Sequence, residues 1–345
     1  MARTFSSVPD SSNQLAPGYA TKIKYGKVPM LHVVDASNWM ARAFFATQNA
    51  DPYMRAADGT PTGGLRQFLI MAQTLINTAK ADPNGCFIAF CFDPSGTQTW
   101  RYRAMSHFAE ENKKSYLRQV FKKSHMYKGN RDKTKSSDMP IQMQLAREIL
   151  AKAGYWVGLK APYEADDLVG TIVHRFARDY LIKMYSRDKD YVQLVINKNV
   201  ELIMQRQANS PERRFSHKTA KTFFGVPADR VIDMLALSGD GVDNVPGLPG
   251  IAEGTACKLI NEWGSALGVQ RAVRTGKIKS KAAWARALRG EIPHMPLELQ
   301  LELVTIDKNV PRLPQSILGF AQKPSDDREL KRLKKRLGFS SMLHL

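Results

Sequence analysis

Short apolar runs alternate with longer segments of helical periodicity along the first half of the chain. The apolar runs predict buried parallel strands at residues 30–34, 86–92, 155–159 and 181–185. Segments with apolar positions at helical spacing predict helices at residues 64–79, 140–153 and 162–179, the last with Pro162 near its first turn. This alternation predicts an α/β fold with a mostly parallel sheet and flanking helices.

The pattern changes after about residue 215. Helices are predicted at 231–237 and 255–263, around a stretch rich in Gly and Pro turns. A last helix is predicted to begin with Ser325 as its N-cap and to stop at Gly338. One face of that helix carries three leucines, Leu330, Leu333 and Leu337, and the other carries lysines and arginines.

The first 29 residues are rich in Ser, Pro, Gly and Lys and show little apolar periodicity, so we expect a flexible leader. Acidic residues are sparse there, which leaves a transit peptide as the alternative. We therefore divide the chain into a leader at 1–29, an α/β domain at 30–215 and a helical region at 216–345.

The charge balance narrows the class of partner. The chain has 51 lysines and arginines against 32 acidic residues, a formal net charge of +19, which favours a polyanionic partner. Nucleic acid is the first candidate and an anionic membrane is the rival. No apolar run approaches the roughly 20 residues of a spanning helix, and no secretory segment opens the chain. We expect no membrane partner and a cytoplasmic location.

Acidic residues cluster at positions where a fold of this class binds ligands. At or just after the ends of predicted strands lie Asp35, Asp93, Asp188 and Asp190, which should meet around one crevice. The segment YEADDL adds Glu164 and Asp167, which share a helix face, and Asp166, which points elsewhere. The segment SGDGVDNVPG adds Asp240 and Asp243. Taken singly, each of the last two groups also has an explanation without a ligand. The acids of YEADDL could complement a helix dipole, and Asp240 and Asp243 could be turn residues.

So many carboxylates would repel one another unless bound cations neutralised them. Oxygen ligands suit Mg²⁺ or Mn²⁺ rather than zinc, and the seven histidines and three cysteines do not recur at ligand spacing. Two such ions about 4 Å apart activate water and stabilise the leaving oxygen of a phosphodiester. The residues therefore predict a metal-dependent phosphodiester hydrolase without a small-molecule cofactor.

Residues 101–135 form a basic segment with eleven lysines and arginines and three acidic residues. Six aromatic residues, from Trp100 to Tyr127, interleave with these charges, as expected where strand ends or unpaired bases are stacked and clamped. The alternative is a solvated charged helix.

Successive motifs resemble those of the 5′-nuclease (flap endonuclease) family, which includes phage 5′-exonucleases and the N-terminal domain of bacterial DNA polymerase I. They are VDASNWMARAFFA, FDPSG, YKGNR, YEADDLVGTI, SRDKDYVQLV, FFGVPADRVIDMLALSGDGVDNVPGLPGI and DDRELKRLKKRLGFSSMLHL. The resemblance covers residues 30–345. It implies a PIN-like catalytic domain at 30–215, a helical arch at 100–139 and a helix-hairpin-helix (H3TH) DNA-binding subdomain followed by a C-terminal helical region.

The resemblance also implies roles for individual residues. One metal would be held by Asp35, Asp93, Glu164 and Asp166. The other would be held by Asp167, Asp188, Asp190 and Asp243, with Asp240 nearby. Lys128 and Arg131 resemble a pair at the base of the arch that contacts the scissile phosphate. DNA contacts are implied for Arg42, Tyr127, Gly247, Gly250, Ile251, Gly254 and Thr255. The hairpin departs from the usual GIGxK, because Ala252 and Gly254 replace a glycine and the lysine.

We therefore expect a Mg²⁺-dependent nuclease, with Mn²⁺ as a substitute, that releases nucleotides from 5′ ends of DNA and cuts 5′ flaps. The resemblance implies a free-standing monomer, as in phages, acting in DNA replication or repair, with RNA–DNA junctions as further substrates. Two alternatives are a catalytically idle DNA-junction binder and a PIN-type ribonuclease. A DNA-junction binder would not need the complete set of acids. The hairpin indicates binding of duplex DNA, which argues against a ribonuclease.

Overall fold

The computed structural model describes most of the chain after the leader. The described residues are 28–50, 54–81, 86–112, 126–129, 137–206 and 210–339. The sequence-predicted leader up to residue 27, much of the predicted arch and Arg131 lie outside these ranges. Within them, no helix combines the length and apolar character needed to cross a membrane.

A six-stranded sheet forms the centre of the 30–215 region. Its strands are β1 (Met30–Asp35), β2 (Cys86–Phe92), β3 (Trp156–Leu159), β4 (Leu181–Tyr185), β5 (Val200–Met204) and β6 (Arg213–Phe215). The spatial order is β3-β2-β1-β4-β5-β6, and every neighbouring pair is parallel except β5 and β6. The predicted mostly parallel sheet is confirmed. β5 and β6 were not predicted from the sequence.

Helices cover both faces of the sheet. The first five are α1 (Ala36–Ala50), α2 (Gly63–Lys80), α3 (Trp100–Glu111), α4 (Met139–Lys152) and α5 (Ala165–Phe176). Alternate residues of β1 point to opposite faces: Val34 packs in the same apolar cluster as α2 and α4, whereas Leu31 and Val33 pack in that of α5. The apolar face predicted for α2, including Phe68 and Ile76, is buried.

The helical region follows the sheet and packs on the face that carries α5. Its helices are α6 (Ala220–Phe224), α7 (Val231–Ser238), α8 (Glu253–Trp263), α9 (Ala266–Arg274), α10 (Ala283–Leu288), α11 (Leu297–Val304) and α12 (Asp327–Arg336). The exception is α12, which places Leu330 and Leu333 in the cluster of α2 and α4. The helical region therefore touches both sides of the sheet.

Two predicted helix starts were wrong, for the same physical reason. The helix predicted from Pro162 begins at Ala165, because Glu164 has extended backbone geometry and its N–H donates to Asp167 Oδ2 at 3.1 Å. The last helix is capped by Asp326 and not by Ser325, since Asp326 Oδ1 accepts the N–H of Glu329 at 3.2 Å. In both cases a hydrogen bond between an acidic side chain and a backbone N–H at the helix N-terminus sets where the helix begins.

Candidate active site

Four of the predicted ligands lie at one edge of the sheet, where β1, β2 and β4 end: Asp35, Asp93, Asp188 and Asp190. Hydroxyl groups tie these strand ends together. Ser186 Oγ donates to Asp35 Oδ2 at 2.9 Å, and Ser37 Oγ accepts the backbone N–H of Asp93 at 2.7 Å. The parallel arrangement therefore brings together residues that are far apart in the chain, as the sequence predicted.

A second group of acids stands at the start of α5: Glu164, Asp166 and Asp167. The N–H of Ala165 donates to Asp93 Oδ1 at 2.7 Å, which joins this group to the edge of the sheet. Asp166 keeps 23% of its side chain exposed, whereas Glu164 keeps 4% and Asp167 none. Although helical spacing separates Asp166 from the other two, all three carboxylates contact the guanidinium of Arg101.

The third group comes from the turn after α7. Asp240 and Val245 exchange backbone hydrogen bonds of 2.9 and 2.8 Å, and Asp240 Oδ1 accepts the N–H of Val242 at 3.0 Å. Asp240 is thus a turn residue, which was the alternative to metal binding in the sequence analysis. Its carboxylate nevertheless joins those of Asp190 and Asp243, and one oxygen of each lies within 4.8 Å of the others.

Tyr127 and Lys128 connect the second group to the third. The Tyr127 hydroxyl contacts Glu164 Oε2 at 3.1 Å and Asp243 Oδ2 at 2.5 Å. Lys128 Nζ lies 2.8 Å from Glu164 Oε1 and 3.7 Å from Asp243 Oδ2. The backbone of Lys128 has a φ of 54°, a conformation disfavoured for a residue with a side chain, and its N–H donates to Asp243 O. The contacts with the helical region hold this conformation.

Mutual repulsion and burial are visible in the pKa values of the acids. Burial and the charge of Asp93 raise the pKa of Asp35 to about 7. Burial and the charge of Asp243 raise the pKa of Asp188 to about 6. Burial also raises the pKa of Asp166 and of Asp190 well above the ordinary value, the latter with help from Asp188. Lys128 and Arg101 therefore leave the acid cluster under-neutralised.

These properties fit divalent metal ions. Asp190 Oδ1 is buried and has no hydrogen-bond partner among the described residues, which is costly unless a cation occupies the space beside it. The donors around it are carboxylate oxygens, the ligands that hard ions such as Mg²⁺ and Mn²⁺ prefer.

Two arginines that both contact Gln205 have no acidic partner among the described residues. Arg42 donates to Gln205 Oε1 at 3.2 Å and to Arg206 O at 3.1 Å, and its Nε is buried and unpartnered. Arg187 donates to Gln205 O at 2.7 Å. Burial and the neighbouring charge of Arg187 lower the pKa of Arg42. The sequence pattern did not single out Arg187 or Arg101, because both are basic residues in a chain rich in them.

The hairpin residues lie between α7 and α8. Gly247 and Gly250 have φ values of 69° and 72°, and a Cβ at Gly247 would lie 2.4 Å from the backbone N of Gly239. Only glycine fits at Gly247. Ile251 is buried, whereas Gly254 and Thr255 are exposed in the first turn of α8. The N–H of Thr255 donates to Ala252 O at 2.9 Å, so the preceding N–H groups of this turn, those of Glu253 and Gly254, are the candidates for contact with an anion.

Two family models match the chain. One, described as the N-terminal resolvase-like domain of 5′-3′ exonucleases, covers residues 30–225. The other, described as the C-terminal SAM fold of 5′-3′ exonucleases, covers residues 226–328. Together they span both the sheet and most of the helical region.

Known relatives agree with these models. The 5′-3′ exonuclease of Bacillus subtilis is 32% identical over 68% of this chain and 70% of its own length. DNA polymerase I of Bacillus caldotenax is 27% identical over 91% of this chain, which spans 32% of that protein. The bacteriophage T5 flap endonuclease, solved in a pseudo-enzyme-product complex with DNA and metal ions, has the same fold, with a TM-score of 0.56 at 16% identity over 89% of this chain and 98% of that one. The chain belongs to the 5′-3′ exonuclease family.

Proposed function

We propose that the protein is a Mg²⁺-dependent nuclease that hydrolyses DNA phosphodiesters at 5′ ends and at 5′ flaps. The observation that carries this proposal is the carboxylate cluster of Asp190, Asp240 and Asp243, with its unpartnered buried oxygen. Membership of a nuclease family and the net charge of +19 support a polyanionic substrate. The T5 relative, whose complex contains DNA and metal ions, supports both the substrate and the cofactor.

We assign the ligands in two sets. The first is Asp35, Asp93, Glu164 and Asp166, and the second is Asp188, Asp190 and Asp243 with Asp240 beside them. Mg²⁺ is proposed over zinc because the donors are all oxygens, and Mn²⁺ should substitute. When bound, such cations lower the pKa of a nucleophilic water and stabilise charge on the phosphate and the leaving oxygen.

The remaining residues orient the substrate. Lys128 Nζ stands between Glu164 and Asp243 with 21% of its side chain exposed, so it can also reach an anion at the mouth of the site. We propose that Lys128 and Arg131 contact the scissile phosphate. Tyr127 holds the two acid groups together, and the first turn of α8 grips a duplex phosphate through its backbone N–H groups.

The oligomeric state, the location and further substrates are also part of the proposal. We expect a monomer that acts in the cytoplasm during DNA replication or repair, with RNA–DNA junctions as additional substrates. Size-exclusion chromatography with light scattering measures the oligomeric state. A particle of twice the 38.7 kDa chain mass would contradict the proposed monomer.

The test is a cleavage assay on end-labelled flap, nicked, linear and RNA-primed substrates, with Mg²⁺, Mn²⁺ or EDTA. We expect short 5′ products from flap and linear DNA only with a divalent ion. The matched control is Asp188→Asn, which should bind the same flap without cutting it. Binding without cleavage by the parent protein would instead identify a DNA-junction binder, and cleavage restricted to RNA would identify a ribonuclease.

A further inference from the structure

One arginine is buried at the centre of the acid groups. Arg101, the second residue of α3, is 1% exposed. Its Nη1 contacts Glu164 Oε2 at 3.0 Å and Asp166 Oδ1 at 3.3 Å. Toward Asp167 it forms a fork, with Nη1 3.0 Å from Oδ2 and Nη2 2.8 Å from Oδ1. This paired geometry is the strongest form of an arginine–carboxylate contact.

The other donors of Arg101 bind the helical region. Nε donates to Leu303 O at 3.0 Å, and Nη2 donates to Thr305 O at 2.9 Å. Both carbonyls stand at the end of α11. The guanidinium therefore uses all of its nitrogen atoms in contacts that join α3, the start of α5 and the helical region. Such a group cannot turn toward a substrate without breaking the junction.

Asp167 is equally occupied. It is fully buried, and besides Arg101 it accepts hydrogen bonds from Trp100 Nε1 at 2.9 Å and from the N–H groups of Glu164 at 3.1 Å and Asp307 at 2.8 Å. Five contacts, two of them from Arg101, thus fill a carboxylate that offers about four acceptor positions. Asp190 contrasts with Asp167, because its buried Oδ1 has no hydrogen-bond partner in the described part of the chain.

We propose that Asp167 is not a metal ligand, and that Asp167 and Arg101 form a fixed ion pair that positions Glu164 and Asp166. The guanidinium of Arg101 places a positive charge against these two acids, and Asp167 holds that guanidinium in place before any ion binds. It also anchors them to the helical region through Leu303 and Thr305. Both members are positioning residues, and their effect on the reaction rests on the proposed function.

The first test separates a ligand from a positioning residue by counting ions. Mn²⁺ binding is measured by calorimetry and electron paramagnetic resonance on the parent, Asp167→Asn and Asp188→Asn. We expect Asp167→Asn to bind as many ions as the parent, with roughly 10-fold weaker affinity, as for lost outer contacts of a metal site. Asp188→Asn should lose one ion. Loss of an ion in Asp167→Asn would overturn the proposal.

The second test asks whether the pair acts as a unit. Arg101→Met leaves the buried charge of Asp167 without its positive partner, so the double variant Arg101→Met/Asp167→Asn should melt at a higher temperature than Arg101→Met. Equal melting temperatures, or a lower one in the double variant, would overturn the coupling. If Arg101→Met does not fold, folding of the double variant supports the pair, and failure of both contradicts it.

The third test measures the effect on catalysis. Arg101→Lys keeps the charge but loses the fork, so kcat on flap DNA should fall roughly 10- to 100-fold while KM for DNA stays within about twofold. The Mg²⁺ concentration for half-maximal rate should rise. An unchanged Mg²⁺ requirement would count against positioning of the ligands. A parent protein that cleaves no substrate would refute the proposed function alone, because ion counts and melting temperatures still test the pair.

Discussion

The crowding of carboxylates predicts an unusual dependence of stability on pH. In the metal-free protein the pKa of Asp35 is raised to about 7 and that of Asp188 to about 6. Both values exceed the value near 3.8 expected for the unfolded chain. The folded protein therefore binds protons that the unfolded chain has released. Stability is greatest when both groups are protonated and is lost as the pH rises through 6 and 7.

The magnitude follows from these two pKa values. Between about pH 5.5 and pH 8, ionisation of Asp35 removes about 2 kcal/mol of the free energy of unfolding, and ionisation of Asp188 removes about 1 kcal/mol. Together these two groups remove about 3 kcal/mol, which corresponds to a fall of roughly 4 °C in melting temperature for a chain of 345 residues. Ordinary carboxyl groups are already ionised throughout this range. Asp166 and Asp190, whose pKa values are also raised, add to the slope in the same direction.

The assay is thermal unfolding in EDTA at several pH values, with Asp35→Asn as the matched control. The variant should lose the contribution of Asp35, about 2 kcal/mol of the free energy of unfolding between about pH 5.5 and pH 8, and the difference between the two proteins cancels contributions from histidines. Saturating Mg²⁺ should raise the melting temperature of the parent more at pH 8 than at pH 5.5, because protons compete with the metal for the carboxylates. The electrostatic reasoning would be refuted if the melting temperature of the parent did not fall with pH, or if it fell equally in Asp35→Asn.

Three further predictions concern single residues. Asp188→Asn should reduce cleavage by more than about 100-fold in single-turnover assays while duplex affinity stays within about twofold, because a proposed ligand is lost but the basic surface remains; near-normal turnover in Mg²⁺ would contradict the assignment. Lys128→Ala should slow single-turnover cleavage more than it weakens binding, since its proposed contact is the reacting phosphate; a change in affinity alone would make it a docking residue. Gly254→Lys should tighten duplex binding and steepen the plot of log affinity against log salt by about one unit. Gly254→Ala is its uncharged control, and equal salt slopes would show that the hairpin does not grip DNA.

The sequence predicted those features of the fold that depend on local patterns. Buried strands such as β1 and β2 are continuous apolar runs, and the buried face of α2 repeats at helical spacing. β5 contains Glu201 and β6 has only three residues, so neither has a pattern long enough to identify it. The acids at the strand ends were predictable because parallel strands end at one edge.

Contacts between distant residues were not predictable in this way. Arg101 was one of eleven basic residues in its segment, and nothing in its neighbours distinguishes it. Its role comes from partners more than 60 positions away at Glu164 and about 200 positions away at Leu303. Asp167 has the residue type and the motif of a ligand, and only the structure shows that other donors fill its oxygens. Residue type identifies a candidate ligand, whereas the hydrogen bonds that its oxygens already accept show whether they are free to bind an ion.

The acid site is completed only where the sheet meets the helical region. Asp190 comes from the edge of the sheet, whereas Asp240 and Asp243 come from the turn after α7. Repulsion among these carboxylates opposes contact between the two regions. Arg101 and Lys128 offset part of that repulsion, and bound divalent ions would offset more of it. Metal binding and docking of the helical region are therefore thermodynamically linked, so each should strengthen the other. Docking of the two regions would therefore complete the proposed metal site and position the proposed DNA-binding hairpin relative to it.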